Sequence, residues 1–229
     1  MTQIKNKPQN TRSEYKRVWN DLSDSLERAV YHVTGKATEE QLRECGLEDA
    51  KKIIRKTKIT NKDTVLEIGC GVGRLGYPIS QLCKKWIGCD VSTNMLGFAK
   101  ERLKQKPNTQ FEELFGNDLR SIESNSIDVV YCSVVFMHLE EWDRYNYIKE
   151  GYRVLKKSGR IYIDNFNLDS DMGWEIFLAH HAFPLDKREP HISKSSNKIE
   201  FKVFLKKAGF TKIKFYEEDQ TIIGTGMKK

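Results

Sequence analysis

The stretch Val65-Leu66-Glu67-Ile68-Gly69-Cys70-Gly71-Val72-Gly73-Arg74 constrains this chain more than any other feature. An apolar, β-prone run passes directly into three alternating glycines. Glycine permits backbone angles closed to other residues and lets a ligand approach the main chain. A strand, a tight turn and a helix start therefore follow one another here, and the helix-start amides are expected to face a ligand. That architecture belongs to α/β proteins that bind nucleotide-type cofactors.

The surrounding pattern extends the same reading. Strands are expected at 64–68, 86–90, 109–115, 127–133, 160–166, 211–217 and 220–226, with helices at 74–83, 93–105, 140–155 and 197–208. Strand–helix alternation at this spacing implies a parallel sheet covered on both faces. The last two strands are too close for a crossover and are expected to form an antiparallel hairpin. Upstream, Thr11 to Val33 carries Tyr15, Val18, Trp19, Leu22, Leu26 and Val30 at helical spacing, ended by Gly35. A second helix runs from an N-cap at Thr38, with Gln41 in the capping-box position, to about Lys58. The division is thus a helical segment over 1–58 and a cofactor domain over 59–229. Residues 167–196 interrupt the alternation with Trp174, Phe177, His180, His181, Phe183 and His191, and form a candidate acceptor lid.

With 229 residues, 38% apolar and 31% charged, the chain suits one sizeable globular domain. No apolar run approaches a membrane span, and the polar N-terminus does not resemble a secretory signal. Five cysteines without CxxC spacing read as reduced thiols in a cytoplasmic protein, with no metal site. The net charge of +7 is concentrated in Lys5, Lys7, Arg12, Lys16 and Arg17, and in Lys194, Lys198, Lys202, Lys206, Lys207, Lys212 and Lys214. Such a surface is either solvated lysine or a site for an anionic partner, nucleic acid included.

Gly71 to Gly76 also satisfies the dinucleotide pattern G-x-G-x-x-G, with Asp90 placed 19 residues after Gly71. Glu67 separates the two readings. A carboxylate at the mouth of the turn repels a pyrophosphate and suits an ammonium. Asp90 ends the second strand, where a carboxylate can accept hydrogen bonds from ribose hydroxyls. Ser92 can cap the next helix, and Met95 lies one turn in. Asp118, in Gly116-Asn117-Asp118-Leu119, can accept from an exocyclic amine. His138 follows the fourth strand and is a candidate general base.

Together these residues resemble the class I S-adenosylmethionine-dependent methyltransferases, especially their small-molecule branch, over about 60–217. The resemblance implies a Rossmann-like, mostly parallel seven-stranded sheet with one antiparallel strand, helices on both faces and an N-terminal helical cap. It implies S-adenosylmethionine as cofactor, released as S-adenosylhomocysteine. The implied cofactor-binding set is Glu67, Gly69, Cys70, Gly71, Gly73, Arg74, Asp90, Val91, Met95, Asn117, Asp118, Leu119 and Ser133, with Tyr15 and Trp19 as an aromatic wall. Gly159 is implied at the sharp helix-to-strand reversal. Candidate catalytic groups are His138, His180, His181 and Asp164. The chain lacks the Asp/Asn-Pro-Pro-Tyr/Phe stretch of nucleobase amino-methylating enzymes and reads Ser133-Val134-Val135-Phe136 instead. The acceptor is expected to be a sugar, a glycolipid headgroup or another small metabolite, methylated on oxygen or nitrogen. The alternatives are RNA or protein as acceptor, a non-catalytic cofactor binder, or an NAD-dependent oxidoreductase.

Overall fold

A computed structural model describes residues 14–35, 38–189 and 191–229. Lys5, Lys7, Arg12 and the expected start of the first helix, 11–13, lie outside the described residues. The sheet contains β1 (Thr64–Ile68), β2 (Lys85–Asp90), β3 (Thr109–Glu113), β4 (Ile127–Cys132), β5 (Leu155–Phe166), β6 (Thr211–Glu218) and β7 (Thr221–Met227). Their order is β3-β2-β1-β4-β5-β7-β6. Only β7 runs against its neighbours, pairing antiparallel with both β5 and β6. This is the seven-stranded Rossmann-like architecture expected from the sequence.

Alternation along the strands builds two cores. Leu66, Ile68, Val130 and Cys132 face one side, together with Tyr147 and Ile148 of α6 (Glu141–Val154) and Phe201 and Leu205 of α8 (Lys198–Ala208). Val65, Val129 and Tyr131 face the other, against Ala50 and Ile53 of α3 (Glu39–Thr57) and Leu96 and Ala99 of α5 (Thr93–Arg102). The period of two that places apolar residues on both faces is what a doubly covered sheet requires. Thr38 caps α3 by accepting the Gln41 amide, and Ser92 caps α5 by accepting the Met95 amide.

Three local expectations are corrected. The first helix is two helices, α1 (Tyr15–Leu22) and α2 (Leu26–Thr34). Ser23 donates its hydroxyl to the Trp19 carbonyl and Ser25 accepts the Arg28 amide, so side-chain hydrogen bonding ends one helix and caps the next. The helix after the glycine turn shrinks from ten residues to one turn, α4 (Gly76–Ile79). Pro78 lacks an amide proton and is tolerated only in a first helical turn, so the helix cannot start as early as Arg74. At the entry to β5, Ser158 rather than Gly159 takes the left-handed backbone, with φ 64°. A register shift between Ile127 and Val129 accommodates it.

Trp86 is fully buried and donates its indole N–H to the Tyr131 hydroxyl at 3.0 Å. Its ring occupies a slot left by two glycines: a Cβ on Gly76 would meet it at 2.5 Å, and one on Gly88 at 2.2 Å. Gly88→Ala is therefore expected to destabilise the fold by about 1–3 kcal/mol through overpacking. Urea unfolding should show a lower midpoint at unchanged slope.

Candidate functional site

The glycine turn opens where β1 ends. Gly69 has φ 73°, and a Cβ there would meet Val135 Cγ2 at 2.3 Å, so no larger residue fits. The turn's amides are directed into the protein. Gly69 and Cys70 both donate to the Cys89 carbonyl at 2.8 Å, and Gly73 donates to the Cys70 carbonyl at 2.9 Å. Gly71 donates to Asp90 Oδ2 at 2.8 Å, while Asp90 Oδ1 accepts the Ser92 amide at 2.9 Å. The amides of Gly69, Cys70, Gly71 and Gly73 are thus committed within the protein. The turn presents bare main chain flanked by two buried carboxylates.

Burial dominates both carboxylates. It pushes Asp90 up to about 6, against the pull of the Ser92, Gly71 and Val91 amides. It pushes Glu67 up to about 8, against the Tyr131 hydroxyl and the charge of Arg74. Glu67 lies opposite Tyr131 in the β1–β4 register and accepts that hydroxyl. The Arg74 guanidinium itself pairs with Asp49 at 2.7 Å.

A cavity surrounds the turn. Of the residues singled out by sequence, Tyr15, Trp19, Glu67, Gly69, Cys70, Gly71, Arg74, Asp90, Val91, Met95, Ser133 and His138 line it. Helices α1 and α2 close its top. The Tyr15 hydroxyl donates to Asp143 Oδ2 at 2.6 Å and accepts the Glu140 amide at 3.2 Å. Asn20 Oδ1 accepts the Ser92 hydroxyl at 2.8 Å, which ties α1 to the start of α5.

Residues 66–163 match the sequence model of a family described as "Methyltransferase domain". Phosphoethanolamine N-methyltransferase 1 of Arabidopsis thaliana is 27% identical over 122 residues, covering 53% of this chain and 24% of that protein. Demethylmenaquinone methyltransferase of Oceanobacillus iheyensis is 30% identical over 115 residues, covering 48% of each chain. Magnesium protoporphyrin IX methyltransferase of Synechocystis PCC 6803, solved with bound SAH, superposes with TM-score 0.69 at 17% identity. That superposition covers 93% of this chain and 98% of the other. Residues 66–163 thus carry the sequence pattern of a methyltransferase domain, in a fold shared with S-adenosylmethionine-dependent methyltransferases of known structure. The chain spans about a quarter to a half of the length of these two curated relatives.

Several sequence candidates sit outside this cavity. Asp118 turns to Arg120, whose guanidinium it accepts at 2.6 Å. Asn117 donates its amide to Asp143 instead, and Leu119 is fully buried in the core. Gly73, with φ 79°, serves packing: a Cβ there would meet Leu103 Cδ1 at 2.5 Å. His180 and His181 end α7 (Asp171–His181), which buries only Gly173 and contributes to neither cavity described here. The part of the 167–196 segment that reaches the site is its return, where the His191 carbonyl lies 2.8 Å from His138 Nδ1. His32 and Val33 of α2, Gly116 and Tyr147 line the cavity without any sequence signal having marked them.

A second cavity adjoins the first at the ends of β4 and β5 and shares His32, Val33, Arg74, Ser133, Val134 and His138 with it. Asp164 lines this second space. It accepts the Ser133 hydroxyl and, at 2.7 Å, the Val134 amide. Burial pushes it up to about 6. Val134 has φ 61°, a costly backbone for a β-branched residue, and Asp164 holds it there. Among the described residues, no cluster of three or more His, Cys, Asp or Glu side chains is placed to hold a metal.

Glu67 yields a test. A carboxyl raised to about 8 is mostly protonated at pH 7, and an ammonium docked beside it favours the carboxylate. Binding of S-adenosylhomocysteine at pH 7 should therefore release most of one proton, while Asp90 is already largely ionised. Calorimetry in phosphate and in Tris should give different apparent enthalpies, and Glu67→Gln should erase the difference. A buffer-independent enthalpy for the wild type contradicts the assignment.

Proposed function

We propose that this chain methylates a small-molecule acceptor seated in the cavity at the ends of β4 and β5, using S-adenosylmethionine held in the cavity around the glycine turn. The observation that carries the proposal is the joining of the two spaces through Ser133, Val134 and His138. The similar proteins named for phosphoethanolamine, demethylmenaquinone and magnesium protoporphyrin support a small acceptor.

The residues fit the cofactor chemically. Glu67 suits the ammonium of the amino-acid tail. Asp90 has acceptor capacity for ribose hydroxyls beyond the backbone amides it already holds. Met95, 1% exposed, offers an apolar thioether to the adenine, and Trp19 and Tyr15 close the cap. When bound, the sulfonium supplies an activated methyl group for in-line displacement. The protein's contribution is alignment and water exclusion.

His138 is the base in this scheme. A carbonyl oxygen only accepts, so Nδ1 donates to His191 O at 2.8 Å and the neutral ring carries its lone pair on Nε2. That lone pair can take the proton of an acceptor hydroxyl or ammonium. The Trp19 ring, edge-on at 4.8 Å between centroids, braces the imidazole. Asp164 positions the Ser133–Val134 wall, and the 191–196 return closes the acceptor side as the inner part of the lid.

The test is transfer of a labelled methyl group to a panel of amine, hydroxyl and phosphate-bearing small molecules. With a productive acceptor, His138→Ala is expected to lower kcat by about 10²–10⁴-fold. Its affinity for S-adenosylhomocysteine should stay within about threefold of wild type. Unchanged turnover in that variant removes His138 from the mechanism. Turnover only with RNA or protein acceptors overturns the small-molecule reading.

A further inference from the structure

Away from the glycine turn, a groove runs between the last turn of α3 and the face of β6. Arg55, Lys56, Lys58, Arg160, Lys212 and Lys214 line it, against a single lining carboxylate, Glu218. Lys56 is satisfied, pairing with Glu218 at 2.6 Å and lying over the Tyr216 ring at 4.2 Å. Arg160 pairs through one terminal nitrogen with Asp63 at 2.9 Å, but its buried Nε meets no acceptor among the described residues. Lys58, Lys212 and Lys214 have no carboxylate partner among the described ion pairs.

We propose that this groove binds a compact, multiply charged phosphate compound, with Lys58, Lys212, Lys214 and Arg160 as its ligands. Like charges gathered in one concavity repel, and an anion relieves the repulsion. Two of these residues also sit in left-handed backbone, Lys58 at φ 58° and Lys212 at φ 49°. Such conformations cost energy and concentrate at functional positions. Lysine on an edge strand guards against aggregation, and cations favour helix C-termini, but neither role calls for both sets to line one groove with a buried guanidinium nitrogen between them.

The distribution of charge selects a compact ligand over a long strand. Of the other lysines of the C-terminal region, Lys198, Lys202, Lys206 and Lys207 belong to α8, while Lys194 pairs with Glu140 and Lys228 lies over the Tyr152 ring. That helix covers the opposite face of the sheet from α3, so its charges do not continue the groove. A single-stranded nucleic acid needs a cationic track over several nucleotides. Pyrophosphate, tripolyphosphate or the phosphates of a nucleotide match an isolated set of four cations.

Inorganic tripolyphosphate is the probe, titrated into the full chain by calorimetry with and without saturating S-adenosylhomocysteine. Saturable binding at one site is expected. Lys58→Gln/Lys212→Gln/Lys214→Gln and, separately, Arg160→Gln should each weaken it by about tenfold or more. Affinity for S-adenosylhomocysteine, unchanged in both variants, verifies that they are folded. Adenosine triphosphate binding with similar dependence on these residues supports the same site. Absence of saturable tripolyphosphate binding to the wild type overturns the proposal, as does binding unaffected by both variants. Tighter binding of a 20-nucleotide RNA that weakens when the four α8 lysines are changed to Gln also overturns it, in favour of a strand track. None of these results depends on identifying the methyl acceptor.

Discussion

A single carboxylate organises the glycine-turn end of this protein. Asp90 accepts the amides of Gly71 and Ser92, while the carbonyl of its neighbour Cys89 accepts those of Gly69 and Cys70. Three turn amides that a phosphate-binding loop would aim at its ligand, those of Gly69, Cys70 and Gly71, are thereby committed to the end of β2. The turn becomes a rigid, uncharged ledge rather than an anion nest. Charge at the site comes instead from Asp90 and Glu67, both negative when ionised and both buried. Burial penalises an unpaired carboxylate, so the site gains most from a ligand bearing a cation and hydroxyl donors.

That constraint also explains why the surrounding elements lie where they do. Glu67 occupies a strand position facing α3, where an apolar residue would ordinarily pack, and Tyr131 and Trp86 form a hydrogen-bonded relay beneath it. Met95, on the capped first turn of α5, packs with Val30, Leu42 and Val72 and joins cap, turn and helix. The cap is fastened by Tyr15 to Asp143 and by Asn20 to Ser92, so closing the cavity and ordering the cofactor wall involve the same contacts. At the ends of β4 and β5, Asp164 plays the part that Asp90 plays at the glycine turn, holding a strained strand exit in place through a backbone amide.

Much of this was legible in the residues. Six of the seven strands lie within two residues of their expected bounds, and β5 starts five residues earlier than expected. The reversed final strand followed from the two-residue gap before it. Glu67, Asp90 and the glycines stand together because strand, turn and strand-end positions are fixed by local sequence. What escaped were consequences of tertiary direction. Nothing local says that the Gly71 amide points at Asp90, that Asp118 swings to Arg120, or that His32 reaches the cavity through a helix break at Ser23. The aromatic–histidine composition of 171–181 suggested a catalytic lid, yet the helix faces outward and only the plainer return segment approaches His138. Pro78 shortened α4 for a reason the sequence did contain.

The most direct measurement is parallel calorimetric titration of the purified chain with S-adenosylhomocysteine and with NAD⁺. A ledge whose amides are already spent, flanked by two carboxylates, should bind the first saturably at one site per chain and give no binding heat with the second. Saturable NAD⁺ binding with no response to S-adenosylhomocysteine would contradict the account at its foundation.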